Sequence, residues 1–454
     1  MHHLLLAWLA ATAQEAAGDG TYHGSVEPLF QRHCVECHRA GGSAPFPLET
    51  HEDAAGWAAQ IEEVVRTRRM PPWHADPTVG RFANDRSLDA ATIDAIVAWA
   101  RGGAKRGDPA RATPRRSWPE GWSLPDPPDL VLSTPTVRVP AEGTMPYQYV
   151  RLPTGLVGDR WVRAAEVKSS NPQVVHHVLV FLEEPRRPRA SVAPPADEPS
   201  RPAAAAQSTR PWRPLFNQFE LLQGAKPHER ARWTQRFQKL IAHDLRFGEA
   251  GGLNGYFFSG LAGGGAVVFG DDEGKFLPAG GELVFQVHHQ PVGKAADSST
   301  SIALWFAERP RAKALDTRGV STVVFEIPPG DPAHEVRARY RLPAAATLRS
   351  LQPHMHRRGK DFLFTAKFPD GAEEMLLRVP RYDFNWQHEY LLAEPRRLPA
   401  GTVLEAVAHF DNSRDNPANP DPAQTVHFGL QTDEEMMIGY FEVVWDPSEL
   451  DEGE

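Results

Sequence analysis

The stretch VVHHVLVFL, residues 174–182, decides the fold class. It is crowded with β-branched and long apolar residues, lacks a helical period, and is bounded by Asn-Pro on one side and Glu-Glu-Pro on the other. The same texture recurs in GGELVFQVHHQ (280–290), SIALWFA (301–307), TVVFEI (322–327) and TVLEAVAHF (402–410), with Gly, Pro, Asn and Asp turns between the runs. Strand signals of this kind from about Leu130 onward predict two packed β-sandwich, jelly-roll-like domains, over 129–312 and 313–448. A low-complexity stretch, EEPRRPRASVAPPADEPSRP, marks a surface insertion within the first, over 184–245, and HERARWTQRFQKLIAHDLRF (228–247) reads as helical.

Upstream of Leu130 the period is different. SVEPLFQRHCVECH (25–38) places Val26, Leu29 and Phe30 on one face. DAAGWAAQIEEVVRTRRM (53–70) and LDAATIDAIVAWARGG (88–103) repeat apolar residues at helical spacing, the second ending on a Gly pair suited to a helix C-terminus. These runs predict a small all-α domain over 21–108, followed by a proline-rich linker over 109–128. The chain is therefore expected to be multidomain, as its 454 residues also suggest. A net charge of -9 argues against a nucleic-acid partner. Residues 1–20 read as a signal peptide, with an apolar run from Leu4 to Ala11 and a small-x-small site at Ala11-Thr12-Ala13, although Lys and Arg are missing before the run. No apolar run is long enough to span a bilayer, so a periplasmic or secreted chain without a membrane span is expected.

The two cysteines, Cys34 and Cys37, stand in Cys-Val-Glu-Cys-His. That spacing lets both thiols bond a haem while the imidazole of His38 reaches the iron, which predicts one covalently bound haem c. A zinc site would need a second cysteine pair, and the chain has none. RRMPPWHAD (68–76) offers Met70 and His74 as the other axial ligand. Met70 is favoured, because a methionine before Pro-Pro lies on an extended loop and a thioether raises the potential of an electron carrier.

Three histidine clusters sit inside strand patterns: His176-His177, His288 and the pair His354/His356. Positions i and i+2 share a strand face, so His354 and His356 can share a metal. Adjacent residues point to opposite faces, so one metal can take both His176 and His177 only at a cleft edge or where the strand is distorted. Carboxylates are missing from all three clusters, which favours copper, while an iron or zinc site of the cupin kind also fits an HxH pair. Met436 or Met437 adds a thioether, which suits Cu(I).

In order along the chain, VVHHVLVF, LVFQVHH, PHMHRRGKDF and TDEEMMIGYF resemble the copper type II, ascorbate-dependent monooxygenases, the family of peptidylglycine α-hydroxylating and dopamine β-monooxygenases. The resemblance spans about Asp129 to Trp445. HFDNSRDNPANPDP and FNWQHEY look like segments of bacterial members that carry an N-terminal cytochrome. It implies two β-sandwich domains with one copper each, facing across a solvent-filled cleft. It assigns His176, His177 and His288 to an electron-transfer copper, and His354, His356 and Met436 to an oxygen-activating copper. His289 falls where the family often has tyrosine and is not counted among the ligands. Gln352 stands where the peptide-amidating branch has a carboxylate-gripping arginine, and Ile438 replaces an asparagine, while Tyr440 is kept. These three are the candidate substrate-pocket residues. Their chemistry speaks against a glycine-extended peptide and for another small organic substrate.

The expected function is a copper-dependent monooxygenase that hydroxylates a C–H bond with O2. Its electrons would come from an external ascorbate-like or periplasmic donor through the fused haem. The alternative is a non-enzymatic haem and copper electron-transfer or copper-binding protein.

Overall fold

The computed structural model describes residues 19–183, 256–260, 265–429, 431–446 and 448. The expected signal peptide lies almost wholly outside them, as do the insertion at 184–245 and the helical stretch at 228–247. Among the described residues no helix is long and apolar enough to cross a membrane. The chain divides into two compact units, one of residues up to Pro72 plus Arg86–Trp118, the other of Trp73–Asp85 plus Pro119 onward.

The first unit is helical. A π-helical turn, Tyr22–Val26, runs into Glu27–His33, and His51–Gly56, Ala58–Arg66 and Ala90–Arg101 follow. Polar caps start them: Thr50 and Asp53 form a reciprocal capping box, and the Asp89 carboxylate accepts the Thr92 N–H. The apolar faces read from the sequence meet in one core around Tyr22, Val26, Phe30, Ile61, Val65, Ile96 and Trp99. Phe30 and Trp99 pack edge to face at 5.9 Å, fastening the first helix to the last.

Among its described residues the second unit is almost wholly β, with a 3-10 turn at Pro172–Val174, and its strands form two sandwiches. In the first, Leu130–Ser133, Thr300–Phe306, Arg160–Ser169 and Glu273–Leu277 face a sheet ordered Gln148–Pro153, Glu282–His289, Val175–Glu183, Phe258–Gly260. Between them lie Val162, Val178, Val180, Leu283, Phe285 and Leu304. In the second, Lys313–Thr322, Met437–Trp445, Ala346–His354 and Tyr390–Leu398 face His334–Arg341, Val403–Phe410, Gly359–Lys367 and Glu373–Val379. Their core holds Leu348, Leu351, Phe362, Phe364, Phe410 and Phe441. The two sandwiches share a sheet, because Lys313 and Ala314 pair in parallel with Glu273 and Gly274.

Two boundaries differ from the sequence reading. The expected linker at 109–128 is divided between the units. Thr113 N–H donates to Glu27 at 2.8 Å and Arg116 N–H to Gln31 at 3.1 Å, both in the helical unit. Ser123 donates through backbone and hydroxyl to the fully buried Glu166 at 2.7 and 2.6 Å in the β unit. Prolines remove donors, but the N–H groups of Thr113, Arg116 and Ser123 are claimed by buried side-chain acceptors. The second difference is Trp73–Asp85, which lies within the expected α domain by sequence yet packs in the β unit. Asp76 N–H donates to Arg378 O, Ala83 N–H to Leu391 O, and Ala393 N–H to Arg81 O, each at 2.8 Å. The segment thereby meets the outermost strand of each sheet of the second sandwich, Tyr390–Leu398 through Arg81 and Ala83 and Glu373–Val379 through Asp76, and satisfies edge groups otherwise left open.

Candidate metal centre

The sequence HH at 176–177 can serve one ion only if the strand is distorted there, and it is. Val175 pairs with His289 and His177 with His288, so His176 is the extra residue of a β-bulge. The bulge turns both imidazoles toward His288. His176 Nδ1 lies 2.9 Å from His177 Nδ1 and 3.2 Å from His288 Nδ1. One nitrogen from each ring falls within a 4.8 Å group, and all three residues are buried. A ring proton on one nitrogen satisfies one neighbour at most, whereas a metal ion would accept all three lone pairs. The Nε2 atoms of His176 and His177 are buried without a hydrogen-bond partner.

His354 ends the strand Ala346–His354, and His356 follows in the turn. Gln387 Oε1 accepts from His354 Nδ1 at 2.5 Å, and Glu434 O accepts from His356 Nδ1 at 3.0 Å. A carbonyl can only accept, so each contact fixes Nδ1 as the protonated nitrogen and leaves Nε2 with a lone pair to offer. His356 Nε2 is buried and has no partner.

Register places the thioether candidates. His354 pairs with Ile438 and Gln352 with Tyr440, so these four share a face. Alternation adds Met436 to it and puts Met437 on the other side, in the core of the second sandwich. The turn holding Met436 is tied to the HxH segment by the fully buried Glu435. Its carboxylate accepts from the backbone of His356 at 2.9 Å, Arg358 at 2.7 Å and Met436 at 3.3 Å.

Burial sets the electrostatics. It lowers His176 and His354 to about 4 and His356 to about 3, and takes His177 and His288 well below the ordinary value. At neutral pH all five rings are uncharged, the form that binds a metal.

The resemblance implies a solvent-filled cleft between the two sets. Instead the sets touch: the rings of His177 and His354 are 6.2 Å apart, and Tyr147 lies 4.6 Å from His288 and 6.3 Å from His356. The reason is apolar. Leu179, Phe181 and Val284 of the first sandwich pack against Val323, Met436, Ile438 and Tyr440 of the second. The candidate pocket residues are consequently enclosed. Gln352 is 8 % exposed, accepts from Tyr256 Oη at 2.5 Å and donates to Gln387 O at 3.0 Å, and Ile438 and Tyr440 are buried.

The sequence singled out FNWQHEY (384–390) by resemblance but gave Phe384 and Gln387 no role at the histidines. Phe384 stacks on His176 at 4.9 Å and contacts His288 and His356 as well, and Gln387 holds His354. Nothing in a phenylalanine or a glutamine marks such a role. His289 is buried beside Val175 in register, outside the three-nitrogen group.

In the helical unit, Cys34 and Cys37 are half-buried free thiols just past the helix Glu27–His33. His38 Nδ1 donates to Phe46 O at 3.0 Å, which leaves Nε2 available, and burial lowers its pKa. Met70 is half-buried in the same unit, its N–H on Val64 O, while His74 groups with the β unit. Free thiols with a neutral, oriented imidazole beside them fit a covalently bound haem.

No protein-family model matches the chain, and no curated protein sequence matches it. Among solved structures it is similar to one of the infectious bursal disease virus Gx strain (8 % identity, 72 % of this chain and 85 % of that one, TM-score 0.15). A VP2 subviral particle of infectious bursal disease virus is alike to the same degree (8 %, 73 % and 85 %, TM-score 0.16). At these scores the likeness carries no argument about fold or function.

Proposed function

We propose that the protein is a copper-dependent monooxygenase that hydroxylates a C–H bond of a small organic substrate, with electrons supplied through a haem bound at Cys34 and Cys37. The observation that carries this reading is a pair of adjoining imidazole sets, the first of which groups three histidines and no carboxylate. One is built on a strand bulge, and the other has its outer nitrogens held by Gln387 and the Glu434 carbonyl. Neutral imidazole suits copper, and Met436 on the face of His354 adds the soft ligand that stabilises its reduced form. His176, His177 and His288 would hold one ion, and His354, His356 and Met436 the other. Copper bound there would supply one-electron redox chemistry and O2 activation.

The chain's own residues do the rest. Gln387 and the Glu434 carbonyl orient the two rings, and Glu435 fixes the HxH turn against the methionine turn. The apolar packing around Ile438 and Tyr440 keeps water from the site, and an apolar C–H substrate suits that wall better than a carboxylate. Insertion of one oxygen atom, with the other leaving as water, takes two electrons and two protons from outside the substrate. In the helical unit His38 and Met70 would hold the haem iron, which would supply one-electron transfer from an ascorbate-like or periplasmic donor.

The close contact of the two sets favours a second reading, a non-enzymatic haem and copper electron-transfer protein. One experiment separates them. The chain is produced with c-type haem maturation, loaded with copper, and assayed for copper, iron and O2 uptake on reduction. Two coppers per iron, one lost in His354→Ala, with substrate-dependent O2 uptake, supports the monooxygenase. Metal loading without O2 uptake supports electron transfer, and the absence of copper refutes both.

A further inference from the structure

We infer that the segment entering the β unit at Trp73 and the loop Asp383–His388 form the route by which electrons pass from the haem to the histidine sets. The inference rests on the proposed function, whose two redox partners it connects: a ferrous haem gives up one electron and a cupric ion takes it, with no bond made or broken.

The chain leaves the helical unit at Pro72 and enters the β unit at Trp73, so only Pro71 and Pro72 separate Trp73 from the axial candidate Met70. The Trp73 ring is buried against His388 at 6.0 Å and Tyr390 at 4.8 Å. One peptide bond from His388 is Gln387, whose Oε1 is hydrogen-bonded to His354. In the same loop Phe384 stacks on His176 at an interplanar angle of 23°. Covalent bonds, one ring contact and one hydrogen bond thus join Met70 to His354, and the loop reaches both histidine sets. Tunnelling decays far less along bonds, hydrogen bonds and packed π systems than across open gaps. The same segment is anchored by backbone pairing at Ala83, Arg81 and Asp76, so its hold on the sheet does not depend on the aromatic contacts alone.

The test uses the full chain with haem and copper. The haem is reduced by a light pulse, and its reoxidation is followed in the visible band under anaerobic conditions. Trp73→Leu and the milder His388→Phe, which keeps an aromatic ring at the position, are compared with wild type. Copper content, haem potential and direct reduction of copper by a small-molecule reductant are recorded alongside. The expected result is intramolecular reoxidation slowed by an order of magnitude in Trp73→Leu, with those three controls unchanged and rescue by Trp73→Phe. Wild-type rates in both Trp73→Leu and His388→Phe overturn the route and leave the proposed function standing. A wild-type haem that copper does not reoxidise at all overturns the haem-fed reading and the route with it.

Discussion

Gln387→Leu is the sharpest probe of the metal centre. The glutamine is not among the candidate ligands, yet its Oε1 is the acceptor for His354 Nδ1 at 2.5 Å, and its Nε2 donates to Phe384 O at 3.1 Å. Leucine matches its bulk but cannot accept. The ring of His354 is 5 % exposed, so its N–H would be left buried and unpaired at a cost of about 1–3 kcal/mol. The ring could escape that cost only by turning its protonated nitrogen toward the metal position. The same range, at about 1.4 kcal/mol per tenfold, corresponds to roughly 5- to 150-fold in metal affinity. That overlaps the roughly 10- to 100-fold typical of losing a partner that orients a ligating histidine. Gln387→Glu keeps the acceptor, adds charge, and should bind at least as tightly as wild type. Competition of the haem-loaded protein with a copper chelator of known affinity measures both variants. If Gln387→Leu retains wild-type affinity at the second copper, the hydrogen bond does not orient a ligand and the assignment of His354 fails.

Three further outcomes are expected. Deleting His176 removes the bulge and lets the strand Val175–Glu183 pair regularly with Glu282–His289, so the protein should fold but lose one copper; full copper content would contradict the three-histidine site. Glu389 is raised to about 7, first by burial and then by Glu442, while Ser350 and Lys275 act in the opposite sense. Between its ordinary value of 4.5 and 7 the unfolded chain releases a proton that the folded chain keeps, so stability falls as pH rises through that window. Glu389→Gln should therefore be more stable than wild type at about pH 8 and lose that advantage near pH 4.5 in denaturant titrations; the opposite trend refutes the sign. Cys34→Ser with Cys37→Ser should abolish haem that survives denaturation while copper in the β unit is retained, read by haemochrome spectra and metal analysis.

Local pattern carried the elements well. LDAATIDAIVAWARGG folds as the helix Ala90–Arg101 behind its Asp89 cap, and VVHHVLVFL as the strand Val175–Glu183, because both signals lie within a single turn or pleat of the backbone. The bulge at His176 was legible only as a condition for shared ligation. Its existence depends on which residue of Glu282–His289 lies opposite, and that register is set by a strand more than a hundred residues away. The excursion of Trp73–Asp85 was hidden for the same reason, since Ala83 finds its acceptor at Leu391. The choice of Met436 over Met437 came from the resemblance, and strand parity independently puts Met436 on the face of His354. The closed junction between the sandwiches could not be read from any one strand, because it needs apolar side chains from both to meet.

The pairing of Leu130–Ser133 with Thr300–Phe306 has a consequence for the order in which the chain folds. The opening strand of the first sandwich waits for a partner made some 170 residues later, as Leu130 with Leu304 illustrates. Its second sheet waits equally for Glu282–His289. Trp73–Asp85 waits longer still, for Leu391 and Ala393. Contacts of such long range form slowly, whereas the helical unit closes over shorter spans, such as that from Phe30 to Trp99. The helices can thus mature first, with Trp73–Asp85 looped out of them as an unpaired strand-like tether. That tether is held between Pro72 and Arg86 until the last sheet arrives to receive it.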